Sequence, residues 1–311
     1  MANVRLSSAD VVAINSSEEI IGVVEQTVKY FPELMYIPAS PIESTSYHTL
    51  VQTALPAVAF RSINAGRDTT KATLAAREVA CKFLDASFDL DKAAATACEW
   101  GVEAAISIQR QAHIKAAFSA IASQTWYGTT ADADGFSGVA ALMPNTDSDM
   151  VVDSGGSTAS TGSSLFALRT GLTDVQYAWG QNGKISDGEV VYAPIYMADG
   201  TKFWGYAQDI SGYVGLQLTN YTAMGRICNL TEDAGDGLTD DLISSLLAEF
   251  KVGEAPDVMF CSRRSLKQLQ QDRTATNATG APAPFPTESF GVPIYATENI
   301  VDTETILTAA S

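Results

Sequence analysis

Residues 55–92 read LPAVAFRSINAGRDTTKATLAAREVACKFLDASFDLDK, and this stretch decides the fold. Together with the residues just before it, it contains two segments, 48–63 and 77–88, in which apolar side chains alternate as they do in strands. The alternating residues are Val58 and Phe60 in the first segment and Val79, Cys81 and Phe83 in the second. A polar, glycine-containing stretch joins the two. Because an isolated two-stranded ribbon is marginally stable in water, the sequence predicts that this ribbon lies on something else, such as a partner subunit.

The longest predicted helix follows the ribbon and covers 91–123, about 30 residues or about 45 Å if unbroken. Ile114, Phe118 and Ile121 share one face of it, and Gly101 is its weak point. The segment is rich in alanine, so other elements are expected to approach the helix closely. A shorter amphipathic helix is predicted for 16–31, where a capping box precedes an apolar face.

After a polar Gly/Ser connector at 153–164, strand patterns predominate. Asp199 and Gly200 predict a hairpin turn between two of these strands. Two further helices are predicted, one capped by Thr239 and one by Ser262, with a short buried strand at 257–261 between them.

The loop after the long helix contains ADADG, a cluster that could bind calcium. With Gly135 at position 6 of the calcium-loop template, Asp134 and Asp132 occupy positions 5 and 3. Position 1 is then Thr130 and position 12 is Ala141, so the bidentate carboxylate is missing. A second acidic stretch, DAGDGLTDD, fails the same test. We therefore interpret both as turns or helix starts and expect no metal site.

Composition limits the possible functions. The chain has 311 residues, 46% of them hydrophobic and 18% charged, which is typical of a globular protein with a substantial core. The net charge of −17 argues against a surface that grips phosphates. There is no apolar stretch long enough to span a bilayer and no secretion signal at the start of the sequence. The four cysteines show no CxxC spacing, which indicates reduced thiols and no zinc framework.

The sequence offers little for catalysis. His48 and His113 are the only histidines, and no serine lies in a G-x-S-x-G motif. There is no dinucleotide fingerprint and no Walker lysine. We therefore expect no catalytic, cofactor-binding or metal residues. Charged side chains of the ribbon and of the helix after Ser262 either contact a neighbouring subunit or are solvated surface; they are Arg61, Arg67, Lys71, Arg263 and Arg264.

Four stretches in this order resemble the major capsid proteins of tailed bacteriophages, whose fold is shared with encapsulins and the herpesvirus capsid floor. The first is the stretch at 55–92 and the second is AFSAIASQTWYGTTADADGFSGVAALMP. The third is YVGLQLTNYTAMGRICNL, with an Arg-Ile-x-Asn pattern at Arg226, Ile227 and Asn229. The fourth joins MFCSRRSLKQLQQDR to FGVPIYATENI. One departure is Val139-Ala140, where the family pattern has a leucine directly after the glycine.

The resemblance implies an α+β fold with five parts. These are an N-terminal arm (1–47), an extended β-hairpin E-loop (48–90), a P-domain spine helix with its exit loop (91–144), an A-domain with associated strands (145–285) and a C-terminal return strand (286–311).

The function implied is that of a virion structural protein, assembled in the bacterial host cytoplasm, whose hexamers and pentamers form an icosahedral shell around double-stranded DNA without reading its sequence. Scaffolding, portal and decoration proteins are further partners of such shells. Members of the family can crosslink through lysine and asparagine, but Lys71 has no matched asparagine and glutamate here. An encapsulin-type compartment, or a metal-dependent α/β enzyme or adhesin, remains an alternative.

Overall fold

A computed structural model describes residues 31–66, 69–197, 199–277 and 281–310. The helix predicted for 16–31 lies outside these residues except for its last position. Five α-helices of five or more residues are described: α1 (Pro32–Tyr36), α2 (Lys92–Ala97), α3 (Val102–Tyr127), α4 (Asp240–Glu249) and α5 (Arg263–Ala275). The sixteen described strands are β1 (Ala39–Pro41), β2 (Ser46–Ala54), β3 (Thr73–Ala80), β4 (Lys82–Asp85), β5 (Phe88–Asp91), β6 (Val151–Asp153), β7 (Ser163–Leu168), β8 (Val175–Trp179), β9 (Ser186–Asp187), β10 (Val191–Tyr196), β11 (Lys202–Gln208), β12 (Ile210–Leu218), β13 (Met224–Leu230), β14 (Val258–Cys261), β15 (Glu288–Ser289) and β16 (Val292–Ala296).

The largest sheet has six strands in the order β15-β16-β14-β7-β13-β6. Its central strand β7 is buried on both faces, as its uncharged sequence SSLFAL requires. Phe166 and Leu168 point into one apolar core, and Leu165 and Ala167 point into a second core on the opposite face. Helices α4 and α5 cover the second core, whereas the end of α3 covers the first.

A second sheet has the order β1-β8-β12-β4, with β9 also paired to β12. It packs against the same core as the end of α3, through Val175, Tyr177, Val214 and Leu216. A third sheet, β10-β11-β5, carries the predicted hairpin across Asp199 and Gly200, which the pairing of β10 with β11 confirms.

The helix predicted for 91–123 is wrong in its bounds, and it is interrupted next to Gly101, its expected weak point. The chain forms α2, turns at residues 98–101 and begins α3 after Gly101, whose φ of 88° has no place in a helix. α3 then continues to Tyr127, so its 26 residues span about 39 Å. His113 on α3 packs beside the Phe88 ring, with 5.4 Å between ring centroids.

The strand prediction for 48–90 is also only partly right. β2 and β3 pair with each other, but Val58 and Phe60 lie outside the described strands, just after Pro56, which cannot donate a ladder hydrogen bond. Residues 82–91 do not continue the ribbon: β4 pairs with β12, and β5 pairs with β11. We call β2 and β3 the ribbon and residues 55–72 the ribbon tip.

Candidate subunit interface

The ribbon has one face toward the body of the subunit and one face toward solvent. Its register pairs Leu50 with Ala76 and Gln52 with Leu74, so Leu50 and Leu74 are diagonal neighbours on one face. That face is exposed, and both leucines are more than half exposed. The opposite face, which includes Tyr47 and Val79, is partly or fully buried.

Contacts at the ribbon's base fix it to the second sheet. The Tyr47 hydroxyl donates to Oε1 of Gln217, and the Arg77 guanidinium donates to the Thr219 carbonyl. The same guanidinium lies over the Tyr221 ring, 3.6 Å from its centroid. Because all of these contacts are near the base, the orientation of the ribbon is set there.

The ribbon tip exposes an unusual amount of apolar surface. Four large apolar side chains within nine residues are each more than four fifths exposed; they are Leu55, Val58, Phe60 and Ile63. Single exposed hydrophobic residues are ordinary, but a contiguous group marks a surface that another molecule covers.

A groove on the body is apolar as well. It lies between α3 and strands β4, β9 and β12, has a volume of about 190 Å³, and is lined by side chains that include Leu84, Ile114, Phe118, Ile185 and Ile210. At its rim the Arg110 guanidinium forms an ion pair with Asp187. The groove is therefore a concave apolar surface, whereas the ribbon tip is an exposed apolar surface.

The five charged residues singled out in the sequence fall into different settings. Arg61 and Lys71 are exposed on the ribbon tip, and Arg263 is exposed at the start of α5. Arg67 lies outside the described residues. Arg264 is used inside the subunit: its guanidinium donates to the carbonyls of Thr161 (2.7 Å), Leu230 (2.9 Å) and Asp302 (3.3 Å).

Sequence reasoning missed the exposed leucines of the ribbon and the groove. Alternation between polar and apolar residues around Leu50 was a usable signal for the ribbon face. The groove could not be found in this way, because its lining comes from four elements that are distant in sequence.

A buried polar network, which we call the C-terminal network, explains the Arg-Ile-x-Asn pattern. The Arg226 guanidinium binds Glu304 through Nη2 at 2.8 Å, donates to the Ser164 hydroxyl at 3.0 Å and donates to the Met143 carbonyl at 3.0 Å. The Tyr127 hydroxyl at the end of α3 donates to the other Glu304 oxygen at 2.7 Å. Burial, and next the neighbouring Glu304 carboxylate, raises the pKa of Tyr127, so this hydroxyl keeps its proton.

Asn229 holds the next part of the same C-terminal segment. Its amide donates to the Leu307 carbonyl at 3.1 Å, and its side-chain oxygen accepts from the Leu307 N–H at 2.7 Å. Asn229 has a φ of 57° within a bulge of β13, a backbone conformation that asparagine tolerates better than most residues. Both polar residues of the pattern therefore attach residues 304–307 to the six-stranded sheet.

The acidic loop after α3 is a hydrogen-bonded turn. Asp132 Oδ1 accepts from the Asp134 N–H at 3.0 Å, and the Gln124 amide donates to the Phe136 carbonyl at 2.6 Å. Gly128 has a φ of 57°, and a Cβ there would lie 2.2 Å from the Gly138 nitrogen, so the two glycines permit the close crossing of the loop. Within the described ranges, no three His, Cys, Asp or Glu side chains are grouped as metal ligands, and none of the helices could cross a membrane.

Comparison with known proteins gives a consistent result. The family model of major capsid protein GP7 matches residues 14–308. A chain in the solved structure of bacteriophage Epsilon15 is 19% identical, with 99% of each chain covered and a TM-score of 0.74. This likeness confirms the α+β fold expected from the sequence.

Two other solved structures are more distant. A chain of Mycobacterium phage Adephagia is 10% identical over 72% of this chain and 98% of that chain, with a TM-score of 0.49. The SrpI encapsulin of Synechococcus elongatus is 10% identical over 73% of this chain and 97% of that chain, with a TM-score of 0.47. The search of curated protein sequences gave no match.

Proposed function

Since the chain belongs to the family of major capsid protein GP7, and is thus a phage major capsid protein, we propose that its hexamers and pentamers form an icosahedral shell that encloses double-stranded DNA. In this proposal the shell is assembled in the cytoplasm of the bacterial host. The subunit acts through its shape and catalyses no reaction. Scaffolding, portal and decoration proteins are its further partners.

The exposed apolar ribbon tip carries this proposal. Leu55, Val58, Phe60 and Ile63 are costly to leave in water, at about 25 cal/mol for each Å² of apolar surface. We infer that the tip enters the apolar groove beside α3 of an adjacent subunit. A protruding surface that binds a different, concave surface of the next copy makes a head-to-tail contact, and such a contact generates a closed ring when the rotation between successive copies closes.

Charge supports the same pairing. The tip exposes the cations Arg61 and Lys71, whereas the chain as a whole has a net charge of −17, so the tip and the body of an adjacent copy differ in sign. Attraction between opposite charges favours the correct orientation of two subunits that meet by diffusion. The acidic balance of the chain also fits a wall that does not adsorb the enclosed DNA. We retain Arg263 as a candidate contact because it is exposed, whereas the contacts of Arg264 inside the subunit favour a structural role.

Electron microscopy of the expressed protein, alone and together with its neighbouring genes, tests the function. Uniform shells or rings of five and six subunits are expected. A compact monomer at every concentration would contradict the proposal. The contents of purified shells then distinguish a phage capsid from an encapsulin-type compartment, because a phage capsid encloses DNA and an encapsulin-type compartment encloses protein.

A double substitution at the ribbon tip, Phe60→Ser with Ile63→Ser, is expected to abolish shells and rings while leaving the free energy of unfolding of the subunit within about 0.5 kcal/mol of wild type. The reason is that both side chains are almost fully exposed in the subunit. Sedimentation and electron microscopy measure assembly, and urea unfolding measures stability. Val252→Ser is the matched control, since Val252 is equally exposed but lies after α4, away from the ribbon. Normal shells from the double variant would show that the tip is not an interface.

A further inference from the structure

Glu33 is a fully buried carboxyl group that the assembly of subunits does not explain. It lies on α1, the first described helix, and contacts the turn after β16. Its Oε1 accepts from Asn299 Nδ2 at 2.7 Å and from the Thr297 hydroxyl at 3.3 Å. A stacked ring pair, Tyr36 with Tyr295 at 4.0 Å, also joins α1 to this part of the chain. The Glu33 side chain is therefore one of the groups that attach α1 to the C-terminal region.

The second carboxyl oxygen of Glu33 has a different environment. Among the residues that the structure describes, neither Glu33 Oε2 nor Asn299 Oδ1 has a hydrogen-bond donor. These two acceptors belong to the two side chains that the Oε1–Nδ2 bond already joins. The buried Trp126 indole N–H near Glu33 also lacks a partner, but one N–H can serve only one of the two acceptors. A proton on Oε2 supplies a donor for Asn299 Oδ1, because a protonated carboxyl and a primary amide can exchange two hydrogen bonds. An ionised carboxylate would instead leave two buried acceptors together, which is costly.

The surrounding charges agree with a neutral carboxyl. Burial is the main cause that raises the pKa of Glu33, and its hydrogen bonds with Asn299 and Thr297 and the nearby Trp126 indole lower it by less. No arginine or lysine of the described ranges forms an ion pair with Glu33. Glu304, the other glutamate that is buried among the described residues, differs in having Arg226 at 2.8 Å. Burial thus raises the pKa of Glu33, and no ion-paired cation of the described ranges lowers it.

The side chains that face the Glu33 carboxyl include one further titratable group. Tyr177 on β8 has a pKa raised first by burial and further by the nearness of Glu33, so it too remains neutral. Asn299, Thr297 and Trp126, from the turn after β16 and from α3, do not titrate. A change in pH therefore acts on this cluster through Glu33.

We propose that Glu33 carries a proton in the folded subunit and that this proton holds α1 on the turn at residues 297–300, so that rising pH weakens the attachment. The carboxyl has the unfolded pKa of an ordinary glutamate and a higher pKa when folded. Below the unfolded value both states are protonated and the folded state incurs no penalty. As pH rises between the two pKa values, the carboxyl ionises only in the unfolded state. The equilibrium constant for folding therefore falls tenfold for each pH unit. Above the folded value the loss stops increasing.

Two measurements on the full-length protein test this proposal. Urea unfolding is measured from pH 4 to pH 9, in steps of about one unit, for wild type, for Glu33→Gln and for the matched control Glu298→Gln. Glu298 lies on the same turn but is exposed. The expected result is that the ratio of the folding equilibrium constant of Glu33→Gln to that of wild type rises by up to tenfold per pH unit above the unfolded pKa. At higher pH this ratio becomes constant. The free energy of unfolding of Glu298→Gln is expected to change with pH in the same way as that of wild type.

Infrared spectroscopy provides the second measurement. Wild type at pH 7 is expected to show the carbonyl band of a protonated carboxyl group, and Glu33→Gln is expected to lack it. If Glu33→Gln does not fold, Glu33→Met supplies a second neutral side chain of similar length for both measurements. The proposal is overturned if the folding equilibrium constants of wild type and the neutral variants keep a constant ratio across the pH range. It is also overturned if wild type shows no band of a protonated carboxyl group at pH 7. Neither outcome depends on shell formation, so the function proposed above is tested separately.

Discussion

Arg226→Met is expected to lower the free energy of unfolding by about 3–5 kcal/mol, because it leaves the Glu304 carboxylate buried without its cation. The side chains of both residues are almost completely buried, and Arg226 also donates to Ser164 and Met143. Methionine retains much of the arginine's apolar volume, so the loss reflects the missing charge more than a cavity. Urea unfolding at neutral pH gives the magnitude.

The double variant Arg226→Met with Glu304→Gln is expected to be more stable than Arg226→Met alone, since it no longer buries an unpaired charge. Arg110→Met is the control for removing an arginine from an ion pair. Its partner is Asp187, both side chains are nearly half exposed, and the expected cost is about 0–1 kcal/mol. A loss below about 1 kcal/mol for Arg226→Met would show that the C-terminal network contributes little to stability.

Trp126→Ala is expected to cost about 3–5 kcal/mol. The indole is completely buried at the end of α3 and lies 5.1 Å, between ring centroids, from both Phe166 and Phe260. Its removal leaves a cavity at the point where the six-stranded sheet, the second sheet and α3 meet. The matched control is Trp204→Ala on β11, whose side chain is half exposed.

Urea unfolding of both tryptophan variants measures the difference. The Trp204 variant is expected to lose about 1 kcal/mol or less, mainly the stacking of its ring on Tyr192 at 5.3 Å. Equal losses for the two variants would mean that the apolar core around Trp126 does not determine the stability of the fold.

Local patterns in the sequence predicted several elements well. The hairpin across Asp199 and Gly200, the helices capped by Thr239 and Ser262, and the strand at 257–261 all appear, and both caps accept a backbone N–H. Such features depend on side chains and backbone within a few residues of one another, and a sequence records them directly.

Contacts over long distances in the chain could not be predicted. Arg226 and Asn229 were noticed as a pattern, but nothing near them in sequence shows that their partners are Glu304 and Leu307. The charge of Arg264 and its place at the start of a helix are compatible with a contact to a neighbour, but its three carbonyl partners come from separate segments of the same subunit. Glu33 lies in a short segment with no pattern at all. Its burial follows from packing, which periodicity does not encode.

The C-terminal network also has a consequence for the order of events during synthesis. Glu304 follows Arg226 by 78 residues, so at about 5–20 residues per second a ribosome needs roughly 4–16 seconds to supply it. Until then β13 cannot enter the six-stranded sheet without burying a lone guanidinium. The nascent chain is therefore expected to keep this sheet open. Under the contact proposed above, unfinished chains on the same messenger RNA are expected to lack a completed groove for a neighbour's ribbon tip. Completion of the fold, and with it the competence to join other subunits, is expected to coincide with the late arrival of one carboxylate.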